Sequence, residues 1–278
     1  MKRLVLLPML CVSVMIWAQK MPSDYFQEGA VMMEGGNPQK AIESFKYIVD
    51  HHKSNDIYPK AYYNLGYCYY ENRQYDKAKV IFRDILNQGF NEKDPLNGGL
   101  MDEPYANYKH RSSRLLYQLY FDQEEYDSAL HYLAVADTVH TYNHFCGNAH
   151  AQASVHTAVN YAVIYERMKD FDQAEAVLLP EVINEFANTQ PIVEELEKLY
   201  EVRDDRTSLK TQLDQAIDSI YTVEEKWNDR TYTNYCLNFH GTEIEVISRG
   251  SDHDKDEAMK RAATLVRESG FYKMVESL

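Results

Sequence analysis

The side chains with the clearest capacity for chemistry lie between residues 140 and 150, in the segment HTYNHFCGNAH. Imidazole and thiolate groups are common zinc ligands, and two pairs of them stand four residues apart, the spacing that shares one helix face. No CxxC pair accompanies them, and the segment joins two helical units, so a polar loop is the simpler interpretation. We expect no metal or other cofactor, and keep four candidate ligands: His140, His144, Cys146 and His150.

A second candidate is the motif NFHGTE, whose His240-Gly241 pair is similar to the His-Gly of caspase-like peptidases. That resemblance would imply a cysteine nucleophile downstream of the histidine. No cysteine follows His240 in this sequence, so a nucleophilic enzyme lacks its first requirement. We therefore predict a protein that is not an enzyme.

A third candidate is the acidic stretch NEKDPLNGGLMDEPY, which holds Asp94, Asp102 and Glu103. Carboxylates bind calcium when a loop presents them at every second residue. That regular spacing is missing here. The expected structure is a solvated loop inserted between two helical units.

The N-terminus has the layout of a secretory signal peptide. Two basic residues precede an apolar run of 14 residues, Leu4 to Trp17, and a small residue follows. Because a membrane-spanning helix needs about 20 apolar residues, we predict a signal peptide at residues 1–18 and export to the periplasm, the outer membrane or the medium. Lipidation at Cys11, with peripheral membrane association, stays an alternative, although Leu10 stands where lipoprotein signals have a small residue.

The chain is acidic and poor in cysteine. Its formal net charge is −14, and loss of the two positive charges in the predicted signal peptide brings this to −16. Such a surface repels phosphate backbones, and no Lys/Arg cluster interrupts it, so we expect no nucleic acid as a partner. Three scattered cysteines remain after the signal peptide, and they do not form a disulfide framework.

One phrase recurs along the chain and indicates its architecture: NPQKAIESF, QYDKAKVIF, EYDSALHYL and DFDQAEAVL. In each copy an alanine follows an aromatic residue or proline by three positions and precedes a bulky apolar residue by four, which places all three on one helix face. A second helical pattern stands upstream of each alanine, across a short polar turn. Each unit is therefore predicted to be a helical hairpin that buries its apolar stripe by stacking on its neighbours. The alanines are Ala41, Ala78, Ala129 and Ala174.

The second unit has the most complete set of packing residues, namely Tyr62, Leu65, Gly66, Tyr69, Ala78 and Phe82. In order, they resemble the aromatic, Leu, Gly, Tyr, Ala and Phe positions of the tetratricopeptide repeat. The other three units match more loosely, and the resemblance covers residues 22 to 190. It implies a right-handed solenoid of helical hairpins that binds a partner in a concave groove.

The resemblance places certain first-helix residues in that groove, and in the fourth unit it places His156 there. A row of tyrosines near two arginines suits an extended peptide, because tyrosine offers rigid amphipathic area and arginine binds carboxylates bidentately. The alternative is that the tyrosines only pack the stack. In the first unit Phe26 and Ala30 replace the Lys/Asn pair of similar chaperone adaptors, which argues against a chaperone-tail clamp. The predicted peptide-binding residues are Lys60, Tyr63, Asn64, Tyr67, Tyr70, Arg111, Arg114 and Gln118.

Beyond residue 190 the repeated phrase stops. PIVEELEKLYEVRDD and TSLKTQLDQAIDSIYTVEEKW are typical of two amphipathic helices, a degenerate hairpin at residues 191–228 that caps the stack. In residues 229–278, β-rich alternation around His240-Gly241 predicts a hairpin, DKDEAMKRAATLVRESG a helix, and FYKMVES a short third strand. We expect this small ββα module to pack as a cap, since about 50 residues make a marginal independent core.

The sequence therefore predicts a mostly α protein with four repeats at residues 19–190. Its expected function is a non-catalytic scaffold or adaptor of the cell envelope that binds a peptide or protein segment in the groove. Two alternatives stay open. One is a metal-binding or enzymatic protein that uses the segment from His140 to His150, and the other is a structural subunit that packs through the C-terminal module.

Overall fold

The structure, a computed structural model, describes residues 20–96, 103–203, 206–250 and 254–278. The predicted signal peptide, Cys11 and Asp102 lie outside this part of the chain. The chain divides into two compact units, residues 1–81 and 82–278. This division falls inside the predicted run of four repeats, and we describe each unit by itself.

Within residues 20–81, the first unit has three complete helices and the start of a fourth. They are α1 (Pro22–Glu34), α2 (Pro38–His51), α3 (Tyr58–Glu71) and the first part of α4 (Tyr75–Asn87). Helix α2 begins at Pro38, behind Asn37, whose side-chain oxygen accepts a hydrogen bond from the Lys40 amide at 3.3 Å. A proline in the first turn behind an asparagine cap is a strong helix start. Consecutive helices then pack together, α1 on α2 and α2 on α3.

The second unit continues the helical hairpins and ends in a sheet with two further helices. Its complete helices are α5 (Tyr108–Phe121), α6 (Tyr126–Ala134), α7 (Gly147–Arg167), α8 (Phe171–Leu178), α9 (Gln190–Val202), α10 (Arg206–Asp218), α11 (Lys255–Glu268) and α12 (Gly270–Ser277). Helix α6 continues into a π-helical turn, Val135–Val139, and α8 into a 3-10 turn, Leu179–Glu181. The partners of each hairpin pack on each other, α5 on α6 and α7 on α8.

The recurring phrase forms the centre of each hairpin, as the sequence predicts. None of its four alanines has exposed surface, and neither has the bulky residue that follows each alanine by four positions. Small side chains at these positions let two helices approach closely, and the bulky ones fill the adjacent space. The bulky residues are Phe45, Phe82, Leu133 and Leu178.

The turn inside each hairpin also repeats. In all four hairpins the residue two positions before the second helix has a positive φ, and only the first of these residues is a glycine. A left-handed conformation costs other residues about 1–2 kcal/mol, so the packing of the two helices, rather than residue preference, fixes these turns. The residues and their φ angles are Gly36 (69°), Arg73 (57°), Glu124 (61°) and Lys169 (63°).

The C-terminal sheet has three antiparallel strands. They are β1 (Tyr221–Trp227), β2 (Arg230–Phe239) and β3 (Thr242–Gly250), adjacent in that order. His240 and Gly241, with φ of 51° and 82°, form the tight turn of the predicted hairpin between β2 and β3. Buried residues of the sheet, α11 and α12 belong to the same hydrophobic core as α7 to α10. The C-terminal elements therefore pack as a continuation of the last hairpins.

Strand β1 occupies a segment that we predicted as the end of a helix, and that prediction is wrong. The strand pairs with β2 along its whole length, from Tyr221 opposite Cys236 to Trp227 opposite Arg230. Strand propensity depends on such neighbours. This hairpin pairing overrides the helical preference of its glutamates, and α10 ends at Asp218.

The segment FYKMVES was predicted as a strand and is instead α12. Its buried residues Phe271, Met274 and Val275 have the spacing of three and four that marks a helix face. The side-chain oxygen of Ser269 accepts a hydrogen bond from the Tyr272 amide at 3.1 Å and caps the helix. The module is therefore a three-stranded sheet followed by two helices.

Gly29 marks a close approach between α1 and α2, and we expect Gly29→Ala to destabilise the protein. An added Cβ would lie 2.7 Å from Cζ of Phe45, which is fully buried. The ring must move, which costs about 1–3 kcal/mol, more than the helix propensity that alanine gains. Thermal unfolding measures the change. Gly147→Ala, where an added Cβ meets open space, is the control, and equal stability of the two variants would contradict this prediction.

Glu166 of α7 should make stability depend on pH. Burial, and secondly the negative charge of Glu195 on α9, raise the pKa of Glu166 from 4.5 to about 7. The folded protein then binds this proton more tightly than the unfolded chain does, so stability decreases as pH rises between those two values. We expect Glu166→Gln to remove this decrease. The free energy of unfolding of the variant should therefore exceed that of the wild-type protein by more at pH 8 than at pH 5. Urea denaturation across this range measures the slopes, and identical slopes would disprove the effect.

Candidate functional site

A cavity of about 340 Å³ lies between α5 and α7 in the second unit. These are the first helices of the third and fourth hairpins, the helices on which the sequence analysis places ligand-contacting residues. We call this cavity the α5/α7 pocket. Its polar lining consists mainly of Glu103, His110, Arg114, Tyr142, Gln152 and His156.

Arg114 supplies the positive charge of the pocket. Its side chain is half-buried, and the guanidinium carbon lies 6.0 Å from the centroid of the Tyr117 ring. Burial lowers the pKa of Arg114, while Tyr117 and Asp137 act in the opposite direction. Arginine keeps its proton in proteins. No carboxylate among the residues that the structure describes forms a salt bridge with Arg114, so its N–H donors are available to a ligand.

His110, one helical turn before Arg114, is held in a single tautomer. Its Nδ1 lies 3.1 Å from the carbonyl oxygen of Ala136 and 3.0 Å from that of His140. Carbonyl oxygens only accept hydrogen bonds, so Nδ1 carries the proton and donates. Burial lowers the pKa of His110, which favours the neutral ring. Nε2 therefore has a lone pair.

The π-helical turn Val135–Val139, together with His140 at its end, supplies the carbonyl groups that fix His110. Its wider winding is closed by a hydrogen bond from the His140 amide to the Val135 carbonyl at 2.8 Å. Such turns often interrupt helices at functional sites. Here the turn brings carbonyl oxygens of Ala136 and His140 to one side-chain atom of α5.

Asn107 joins the two loops that border the pocket. It has no exposed surface and a left-handed backbone, with φ of 47°. Its Oδ1 accepts a hydrogen bond from the Asn143 amide at 2.9 Å, and its Nδ2 donates to the Asn143 carbonyl at 3.1 Å. Both ends of this buried amide are satisfied, which fixes the loop before α5 against the loop before α7.

The loop residues Tyr142 and Glu103 form the outer wall. Burial, then the charge of Glu103 and the hydrogen bond that Tyr142 donates to it, raise the pKa of Tyr142. On α7, Nε2 of Gln152 lies 3.2 Å from Nε2 of His156, while the Gln152 oxygen accepts from the Asn188 amide at 2.9 Å. The wall thus combines a phenol, a carboxylate, an amide and an exposed imidazole.

The predicted residues of α3 belong to the first unit, and one of them is not available to a ligand. Tyr63 is 6% exposed and packs in the core, so the prediction that it faces a groove is wrong. Tyr67 and Tyr70 are half-buried and their rings stack, with centroids 6.1 Å apart. Burial, then a hydrogen bond to Glu71, raises the pKa of Tyr67 to about 12. The other two predicted residues of this helix, Lys60 and Asn64, are also half-buried.

Of the three predicted residues on α5, only Arg114 borders the pocket. Arg111 and Gln118 are half-buried, and Nε2 of Gln118 donates to Asp122 at 2.9 Å. The pocket brings Arg114 together with His156, which the repeat resemblance also assigned to the ligand-contacting face. Sequence reasoning missed His110, although its spacing of four from Arg114 places it on the same face of α5.

The four candidate metal ligands do not assemble into a site. Nε2 of His150 lies 2.9 Å from the carbonyl oxygen of His144, and Nδ1 of His144 accepts from the Cys146 amide at 2.9 Å. His140 contributes its backbone carbonyl to His110. In the described ranges of the chain, no three His, Cys, Asp or Glu side chains are arranged to hold a metal ion.

His240 has a structural role that the sequence did not indicate. Its Nδ1 lies 2.7 Å from Oε1 of Glu175 on α8, and its Nε2 lies 2.7 Å from Oε1 of Gln212 on α10. Glu175 is buried and also accepts from Tyr200 at 2.6 Å and from Arg203 at 2.7 Å. Burial alone would raise the pKa of Glu175, but these partners, His240 first, lower it. The motif NFHGTE therefore joins the sheet to the last helices.

The described ends of the acidic insertion pair with each other. The Ala106 amide donates to the Asp94 carbonyl at 2.8 Å, and the Asn107 amide to the Glu92 carbonyl at 3.0 Å. These bonds pair the two ends of the insertion. Asp94 accepts through its side chain from Asn91 at 2.8 Å.

Residues 32–96 match the family model described as "Tetratricopeptide repeat". The match spans α2, α3 and α4, and it confirms the family resemblance there. Residues 32–96 thus carry helical repeats of this kind. No curated protein matches the chain, and no helix in the described ranges has the length and apolarity to cross a membrane.

Solved structures to which the chain is similar include "MamA 41-end from Desulfovibrio magneticus RS-1", at 14% identity and a TM-score of 0.48, over 71% of this chain and 93% of that one. The "MamA RS-1 ArsTM double mutant" has 15% identity and a TM-score of 0.47, over 67% and 87%. TTC0263, a thermophilic TPR protein of Thermus thermophilus, has 16% identity and a TM-score of 0.37, over 71% and 91%. At these values the likenesses carry no information on function.

We expect Asn107→Ala to loosen the loops around the pocket. The change leaves the Asn143 amide without its acceptor, which costs about 1–3 kcal/mol, and it places alanine in a left-handed conformation. Hydrogen exchange at the Asn143 amide should accelerate, and urea denaturation should show lower stability. Asn148→Ala, an exposed position at the start of α7, serves as the control. Unchanged exchange at Asn143 would show that Asn107 does not hold the loops.

Proposed function

We propose that the protein is a non-catalytic interaction scaffold of the cell envelope that binds a protein or peptide segment across α5 and α7. The observation that carries this proposal is the α5/α7 pocket of about 340 Å³. Stacked helical repeats use the surfaces between neighbouring units for binding. The pocket occupies such a place, between the first helices of two consecutive hairpins.

The chemistry of the pocket supports a role in recognition. Arg114 and Tyr142 belong to residue types that are enriched where protein interfaces concentrate their binding energy. Arg114 has no salt-bridge partner among the described residues. Asn107 holds the surrounding loops together, and the carbonyl groups of Ala136 and His140 hold His110. A wall that is fixed before the ligand arrives loses little conformational entropy on binding.

The tyrosines of α3 are part of the same proposal as a second contact area. Tyr67 and Tyr70 are half-buried with stacked rings. Tyrosine offers a large rigid surface with one polar end, which suits contact with an extended segment. Lys60 and Asn64 on the same helix are half-buried polar neighbours.

The location in the envelope rests on the N-terminal sequence. A basic start, an apolar run and a small residue within residues 1–18 favour export. The acidic remainder of the chain disfavours nucleic acid and favours a protein partner with basic or neutral surface. The scaffold would then assemble proteins outside the cytoplasm.

Site-specific photo-crosslinking in the native cell tests this proposal. We expect a benzoylphenylalanine residue at position 156 to give an adduct of defined mass, because His156 is exposed and borders the pocket. Arg114→Ala should decrease that adduct about tenfold or more, as removal of a central interface arginine does. Mass spectrometry identifies the bound chain.

Two controls accompany this experiment. The same crosslinker at position 264, on the exposed side of α11, should not give that adduct, and Arg230→Ala, at an exposed site outside the pocket, should leave the adduct unchanged. An adduct at position 156 that Arg114→Ala does not reduce, or no adduct there at all, would refute binding at this pocket.

A further inference from the structure

We propose that the α5/α7 pocket recognises an amide group, whose carbonyl oxygen accepts hydrogen bonds from Arg114 and whose N–H donates to Nε2 of His110. This inference rests on the proposed function, and it names the chemical group by which a partner segment is held. Two sources carry this group: the backbone of an extended segment, and the side chain of asparagine or glutamine.

The first step of the argument is the position of the two side chains. His110 and Arg114 stand four residues apart on α5, and both border the pocket. Residues at this spacing are neighbours on a helix face, with about 5–6 Å between their Cβ atoms. A ligand group of a few atoms can therefore contact both.

The second step is their hydrogen-bonding character. The carbonyl oxygens of Ala136 and His140 keep the proton of His110 on Nδ1, so Nε2 only accepts. Arginine only donates. Nε2 of His110 and the guanidinium of Arg114 have no hydrogen-bond partner among the described residues. An acceptor beside a donor is the arrangement that complements an amide.

The third step compares an amide with charged groups. A carboxylate would pair with Arg114 but would also face the lone pair of His110 and the carboxylates of Glu103 and Asp137, both of which lie close enough to influence this cluster electrostatically. A cationic side chain would meet Arg114. A neutral amide satisfies the acceptor and the donor without either repulsion, and sites built from such paired groups reject ligands that lack one partner.

Three capped tripeptides test the chemical class. Acetyl-Gly-Gly-Gly, acetyl-Gly-Gln-Gly and acetyl-Gly-Glu-Gly, each with a C-terminal N-methylamide, are titrated into the isotope-labelled full chain. The NMR signals of Ala149 and Ala153, which line the pocket, report binding, with dissociation constants of about 1–10 mM expected for such small ligands. Equal binding of all three assigns the backbone amide, and stronger binding of the glutamine peptide assigns the side-chain amide. Preferred binding of the glutamate peptide, or no shift with any of them, overturns the proposal.

One variant removes the Nε2 acceptor of His110 and keeps the hydrogen bonds that hold the side chain in place. In His110→Asn the side-chain N–H₂ still donates to the carbonyls of Ala136 and His140, while the Nε2 acceptor is lost. We expect binding of the preferred peptide to weaken about tenfold, the effect of one hydrogen bond, with an unchanged melting temperature. His131→Asn, exposed on α6 and outside the pocket, is the matched control. Arg114→Met, which keeps the apolar stem and removes the donors, is the second test should His110→Asn fail to fold.

The outcomes distinguish this inference from the proposed function. Unchanged peptide binding by folded His110→Asn and Arg114→Met overturns amide recognition. If the photo-crosslink at position 156 is nevertheless formed and depends on Arg114, the pocket is still a protein-binding site and only its chemistry is different. If the crosslink is absent while the peptides bind, the amide site is real and the scaffold function is wrong.

Discussion

The close approach of two helices at a fully buried alanine is the contact on which the hairpins depend. At Ala41, Ala78, Ala129 and Ala174 no surface remains exposed, and the bulky residue four positions later in each copy is fully buried as well. This approach fixes the angle between the two helices and therefore the turn that joins them. Three of the four turns accept a left-handed residue other than glycine, which shows that helix packing outweighs the local backbone cost.

Much of this fold can be predicted from the sequence, because the repeated unit is encoded locally. The alanine, its aromatic or proline predecessor and its bulky successor lie within eight residues, so their pattern is visible without knowledge of the fold. Strand β1 is different, since its conformation depends on pairing with residues such as Cys236 and Arg230. Helix α12 has a serine cap and a helical spacing of apolar residues that can both be recognised in the sequence. Its aromatic and β-branched residues favoured a strand, and that prediction was wrong.

The candidate site could be predicted only in part, for a related reason. The repeat resemblance placed Arg114 and His156 on a ligand-contacting face, because the face on which a residue lies follows from its position within one repeat. The roles of His110 and Asn107 depend on partners 26 to 36 residues away, which no local pattern reveals. Tyr63 was misplaced, since its helix position did not disclose that it is buried. The pocket is therefore built from repeat geometry and completed by loop contacts specific to this chain.

The geometry of the pocket depends on the number of residues in the π-helical turn. Such a turn contains one residue more than an α-helical turn, so loss of a single residue from Val135–Val139 would restore α geometry. The following segment would then rotate by about 100° and shift by about 1.5 Å, and the carbonyl groups of Ala136 and His140 would no longer both reach His110. Insertions and deletions are usually tolerated between repeats. Among relatives of this protein, we instead expect the segment that joins α6 to α7 to keep a constant length.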